Sequence, residues 1–244
     1  MPIRTSSLVF SLLLVASSSH AQHYRVVKAD DLKSLNDFRL GATCESVQTQ
    51  LESRDADTFP QLRYICKGQG YRSVKVSSYV SDTTLVVSLT PDNIVWKISI
   101  YIRRAEKALQ ANADALQMFY EKFGRPVLEE DISVGGTVPT LDGLKSFGKL
   151  VFKHAWATSQ LNPATTINTV PRFSCQMQPQ MSPACLTKYV EVSNQNWEKQ
   201  LAKLDGVVVI GQFNPSKDGM ASFSVESYQK EHLEQSMLVP GGGK

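Results

Sequence analysis

Motifs for catalysis are what this sequence most conspicuously lacks. It has no Gly-x-Ser-x-Gly to present an elbow serine, no His-Glu-x-x-His to hold zinc and no Cys-x-x-Cys for redox or metal chemistry. Gly135-Gly136-Thr137 lacks the Lys-Ser/Thr that a phosphate cradle needs. Histidine is scarce, with four in 244 residues. Neither charge sign is in excess. Lys and Arg number 26 against 23 Asp and Glu, a net +3, which gives no case for nucleic acid as a partner. No apolar run after the first twenty residues is long enough to span a bilayer, which takes about 20 such residues. No Asn-x-Ser/Thr sequon with a non-proline middle residue occurs. Apolar residues at 42% and charged residues at 20% are ordinary for a globular chain and exclude collagen, a coiled-coil rod and wholesale disorder.

What is there begins with the first 21 residues. Arg4 supplies a positive start, Leu8 to Ala16 a short apolar run, and Ser19-His20-Ala21 small residues three and one before a cut. That layout predicts a secretory signal peptide, with Gln22 as the mature start and the periplasm or the extracellular space as destination. The other reading is an uncleaved anchor.

An exported chain meets an oxidising compartment, where paired cysteines are the default. The four cysteines are Cys44, Cys66, Cys175 and Cys185. They allow three pairings, and spacing favours Cys44–Cys66 and Cys175–Cys185, each closing a short loop. Loops of that size are worth about 3 kcal/mol each by chain entropy.

Along the mature chain, Leu32, Leu35 and Phe38 predict a short helix from Ala29 to Phe38, and Thr43 predicts the N-cap of a second helix from Cys44 to Leu51. The period then falls to two. Val74 to Val80, Leu85 to Leu89 and Ile94 to Ile102 predict an antiparallel meander with one buried face. Ile94, Trp96, Ile98, Ile100 and Ile102 lie on that face, and Val95, Lys97, Ser99, Tyr101 and Arg103 on the wetter one. A helix over about 104–123, ended by Gly124 and Pro126, is expected to roof the Ile/Trp face.

Breakers make 129–147 mostly loop, with a short helix near Leu141 to Phe147. Glu129-Glu130-Asp131 reads as a solvated acidic patch. Phe152, His154 and Trp156 alternate as a strand, and 158–184 reads as a long irregular excursion. Leu186 to Val192 is expected as a strand, then a short helix carrying Trp197, Leu201 and Leu204. Val207 to Phe213 and Ala221 to Tyr228 are expected as a hairpin. The last charged stretch, holding His232, reads as a tail or short helix.

The expected class is α+β, two-layer, with helices packed on a mainly antiparallel sheet and two similar small halves as one arrangement. The halves would be 22–126 and 145–238, followed by a flexible end at 239–244.

Phe38-Arg39-Leu40-Gly41-Ala42-Thr43, then Val47 and Leu51, then three strands, resembles the helix–helix–three-strand module of BamE/SmpA-type envelope lipoproteins and of beta-lactamase inhibitory protein repeats. The resemblance covers about residues 29–102. The lipobox cysteine of the lipoproteins is missing here. The resemblance implies an exported protein-contact module and carries over no particular binding residue.

Four side chains stand out as candidates. His154 is a catalytic base or ligand if accessible and a structural histidine if buried. Arg103 and Arg104, with Lys107, form a small basic cluster that reads first as a solvated edge. Trp197 is the tryptophan whose burial the pattern does not fix, whereas Trp96 reads as core beneath the long helix. Two functions follow. The first is a non-enzymatic binding or structural protein of the envelope or extracellular space, with a protein or envelope-component partner, no cofactor and no metal. The second is a periplasmic or secreted hydrolase with its site near His154 or at paired carboxylates.

Overall fold

The computed structural model describes residues 24–35, 37–55, 66–77, 83–104, 118–130, 152–171, 183–215 and 221–238. The leader, Asp131, Asp142, Lys107, Cys175 and the expected short helix near 141–147 lie outside them.

The meander forms as its alternation predicts. Strands β3 (Arg72–Ser77), β4 (Thr83–Leu89) and β5 (Val95–Arg104) pair antiparallel in chain order. The expected hairpin forms as β9 (Val207–Pro215) and β10 (Ala221–Gln229), and β10 lies directly against β5. β7 (Phe152–Ala157) adds to β9, β6 (Leu128–Glu130) to β7, and β8 (Ile167–Asn168) to β6. The result is one eight-stranded sheet in the order β3-β4-β5-β10-β9-β7-β6-β8, with β6–β8 the parallel pair among the described strands. Strands from both halves of the chain therefore share a sheet, and the class is α+β.

One face of the sheet carries Val76, Leu85, Val87, Ile98, Ile100, Val209 and Trp156. Leu32, Leu35, Phe38, Cys44, Val47, Leu51 and Phe123 bury against them in a single cluster. Helix α1 (Ala29–Leu32) is one turn long, and the chain then makes a two-residue ladder between β1 (Ser34–Leu35) and β2 (Phe38–Arg39). The expected helix to Phe38 is thus corrected. Its three apolar positions all reach the core, but Leu40 N–H donates to the Lys33 carbonyl at 2.8 Å and closes a turn instead. Helix α2 (Cys44–Asp55) starts as predicted, with Ser46 N–H donating to Thr43 Oγ1 at 3.3 Å. The Cys44–Cys66 disulfide is formed, with Cα atoms 5.6 Å apart.

Of the long roofing helix, residues 118–123 are described, and they are helical. Phe119, Tyr120 and Phe123 pack on the cluster that holds Ile98 and Ile100, as the pattern predicts. Gly124 takes φ +67° and ends the helix, a conformation few other residues adopt without strain. Its N–H donates to the Tyr120 carbonyl, and its own carbonyl accepts from Trp156 Nε1 at 3.0 Å.

The opposite face holds a second cluster: Trp96, Leu128, Ala155, Trp197, Leu204, Val208, Ile210 and Tyr228, with Leu201 and Leu233 against it. Trp96 is here, not beneath the roofing helix. Leu89 pairs with Val95 but Ser88 pairs with Lys97, so the chain carries one extra residue at that point. This bulge slips the period-two pattern by one position and turns the indole to the other face.

Helix α3 (Pro183–Leu201) corrects the expected strand at Leu186 to Val192. That stretch is rich in residues favoured in strands: Thr187, Tyr189, Val190 and Val192. The longer set Leu186, Val190, Ser193, Trp197 and Leu201 has helical spacing, and the longer period decides. Helix α4 (Lys230–Leu238) closes the described chain. Among the described residues no helix is long and apolar enough to cross a membrane.

Candidate functional site

Where β5 and β10 pair, Ser99 stands directly opposite Glu226. Lys97 and Tyr101 lie two residues to either side of Ser99 on the same face, because successive side chains of a strand alternate. Glu226 therefore reaches both diagonally. Its Oε1 accepts a hydrogen bond from the Tyr101 hydroxyl at 2.8 Å, and its Oε2 lies 2.9 Å from Lys97 Nζ. The Lys97 ammonium also sits 5.9 Å from the centre of the Tyr228 ring, within cation–π reach. Ser99 is buried between these groups, while Tyr101 stays 41% exposed.

Burial, and then the bond to Glu226 and its charge, push the Tyr101 phenol up to about 12. Burial, then the charges of Glu226 and Glu198, do the same for Tyr228. Both phenols stay protonated at any physiological pH. Tyr101 thus offers a ring of fixed orientation whose hydroxyl proton is committed to Glu226. That is the chemistry of recognition. Tyr101 and Lys97 were legible as the wet alternates of β5. Glu226 was not, because nothing local in 221–228 says which strand lies beside it.

The sequence candidates fall elsewhere and are not brought together. His154 is buried, its ring stacked on Tyr120 with centroids 5.6 Å apart and edge-on to Trp156 at 6.1 Å. Burial pulls its pKa down to about 4, so it is neutral at pH 7. Trp197 is 2% exposed and lies on the opposite face, in the second cluster. Arg103 and Arg104 end β5, their backbones paired with Ser222 and Ala221; their side chains lie outside the described set. Cys185 is on α3, and the expected Cys175–Cys185 bond lies outside the described residues with Cys175. His232 is no tail residue. It sits on α4 with Nδ1 3.1 Å from the Tyr71 hydroxyl, which in turn donates to Gln235.

The acidic run is corrected as well. Glu129 and Glu130 point to opposite faces of β6, and Glu130 is 1% exposed. Its Oε1 accepts from Ser193 Oγ at 2.6 Å, and its Oε2 lies 3.0 Å from Lys153 Nζ, opposite it on β7. The second contact is an ion pair by distance, approached off the direction of a good hydrogen bond. Lys153 also donates to Asn194 Oδ1 at 2.9 Å and lies 5.6 Å from the centre of the Trp197 ring. This buried centre pins α3 to the sheet. Three adjacent acids suggest solvent, and partners 23 and 63 positions away are invisible to a local reading.

Among the described residues, no group of three or more His, Cys, Asp and Glu side chains is placed to hold a metal ion. No protein-family model, curated protein or solved structure matches the chain.

Proposed function

We propose that this is an exported, non-enzymatic binding protein of the cell envelope or extracellular space, and that it contacts a protein partner through the surface around Tyr101. The observation that carries the reading is the Lys97–Glu226–Tyr101 chain, which holds a half-exposed aromatic ring in one orientation on a rigid sheet. Tyrosine is enriched among the residues that dominate protein interfaces, and a ring already fixed loses little entropy on binding. The formed Cys44–Cys66 bond supports an oxidising destination. The resemblance of the Gly41–Thr43 turn and meander to envelope modules supports a protein as partner. The His154 branch of the hydrolase alternative would need an accessible base, and this ring is buried, stacked on Tyr120 and edge-on to Trp156.

The test is capture from an envelope extract by the oxidised protein, run beside Tyr101→Ala and Tyr101→Phe. A saturable partner retained by the native protein, weakened at least about tenfold by Tyr101→Ala and less by Tyr101→Phe, is expected. A partner that binds Tyr101→Ala as well as the native protein, or no saturable partner, refutes it.

A further inference from the structure

His154 belongs to a chain of rings. Tyr24 meets Tyr120 edge-on at 5.3 Å, Tyr120 stacks on His154, and His154 meets Trp156. Trp156 in turn touches Phe119 and Phe123, and its indole N–H holds the Gly124 carbonyl. The 118–124 stretch is thus fastened to the sheet at β7, and the 24–28 stretch is fastened to it. A backbone bracket secures the latter: Asn162 Oδ1 accepts from Val27 N–H at 2.8 Å, and Asn162 Nδ2 donates to the Val27 carbonyl at 2.9 Å.

Within this chain His154 Nδ1 is buried and has no hydrogen-bond partner among the described residues. A second ring proton would therefore enter a desolvated site with no acceptor among the described residues. The charged groups of the packed elements do not relieve this. From β6, Glu129 faces His154 across the ladder, with its carboxylate 3.5 Å from Asn168 Nδ2. From β9 comes Gly211, where an added Cβ would stand 2.6 Å from the Phe119 ring. The 118–124 stretch brings Tyr120, Glu121 and Lys122, and the N-terminal stretch brings Tyr24 and the Arg25–Asp31 pair at 3.1 Å. Arg125 lies over Tyr24. On β7 itself, Lys153 points to the other face and pairs with Glu130.

We propose that this ring chain is an acid-sensitive latch: neutral His154 holds the 118–124 and 24–28 stretches on the sheet, and a proton on His154 releases them while the sheet stays folded. The opened ring titrates near the ordinary 6.5, and the closed one near 4 because burial disfavours its charged form. The closed state is therefore fully favoured above pH 6.5 and loses its advantage as pH falls toward 4. Between pH 7.5 and 4.5 the opening equilibrium should rise roughly 70-fold.

The experiment is amide hydrogen exchange on the intact protein at pH 7.5 and 4.5, corrected for intrinsic exchange, on native protein and His154→Phe. Protection in 118–124 and 24–28 is expected to fall roughly 70-fold in the native protein, with β5 and β10 amides unchanged, and to be insensitive to pH in His154→Phe. An equal pH response in the variant overturns the proposal, as does a uniform loss across the sheet. Should His154→Phe fail to fold, the ring signal of His154 in the native protein decides. Titration well below 6.5 together with the local loss of protection supports the latch, and titration at or above 6.5 overturns it.

Discussion

Removing one partner of the Glu130–Lys153 pair should cost much more than removing both, and the two single losses should be unequal. Taking a charge out of water costs several kcal/mol, and a buried pair only offsets that cost. Lys153 without Glu130 keeps Asn194 Oδ1, the Trp197 face and a side chain 14% exposed. Glu130 without Lys153 keeps only Ser193 among the described residues and is 1% exposed. Glu130→Leu should therefore lie near the low end of the range for broken buried pairs, about 3 kcal/mol, and Lys153→Met near the high end, about 5 kcal/mol. The double variant Glu130→Leu/Lys153→Met leaves no orphan charge and should fall within about 1 kcal/mol of the native protein. At about 2–4 °C per kcal/mol for a chain of this size, the single variants should melt roughly 6–20 °C lower. Urea unfolding at pH 7 is the assay. If Glu130→Leu costs more than Lys153→Met, or if each single variant costs less than about 1 kcal/mol, the pair is not the buried electrostatic pin described here.

Two further outcomes follow from the same structure. Cys44→Ala/Cys66→Ala, or reduction, should lower stability by about 3 kcal/mol in urea unfolding, because the bond closes a loop across 22 positions; an unchanged midpoint would show that the unfolded chain gains no freedom there. Gly124→Ala should destabilise by more than the usual 1 kcal/mol or so, since φ is +67° and a Cβ would collide with the Arg25 carbonyl; thermal melts within about 1 °C of native would refute it.

Elements with strong local signals were legible. The three meander strands, the 207–229 hairpin, the Thr43 cap, the Gly124 stop and the Cys44–Cys66 bond each rest on residues close together in sequence. Core identity was more legible than element type: Leu32, Leu35 and Phe38 are all buried, though a helix carries only the first. Whatever depends on which strands become neighbours was not legible. The β5–β10 pairing makes the Tyr101 site and the β6–β7 pairing makes the Glu130 centre, and no pattern inside any one strand specifies either. The burial of Trp197 stayed open and that of Glu130 was misjudged for that same reason, since α3 brings Trp197 and Ser193 down onto β6 and β7 from far along the chain.

The bulge between Val95 and Trp96 joins these observations. Without it, Trp96 would share the face of Ile98 and Ile100, and the opposite face would begin with Lys97. With it, Val95 stays in the first cluster and Trp96 becomes the β5 contribution to the second, edge-on to Tyr71 at 6.2 Å. Tyr71 then holds His232 on α4, so the indole anchors the C-terminal helix. Val95 N–H still donates to the Ala42 carbonyl and its own carbonyl accepts from Gly41 N–H, which ties the bulged strand to the turn that opens α2. One extra residue thus lets a single strand serve the disulfide-bearing end of the first core and the helix-bearing end of the second. It also leaves Lys97, Ser99 and Tyr101 in unbroken alternation beyond it, which is the register that places all three beside Glu226.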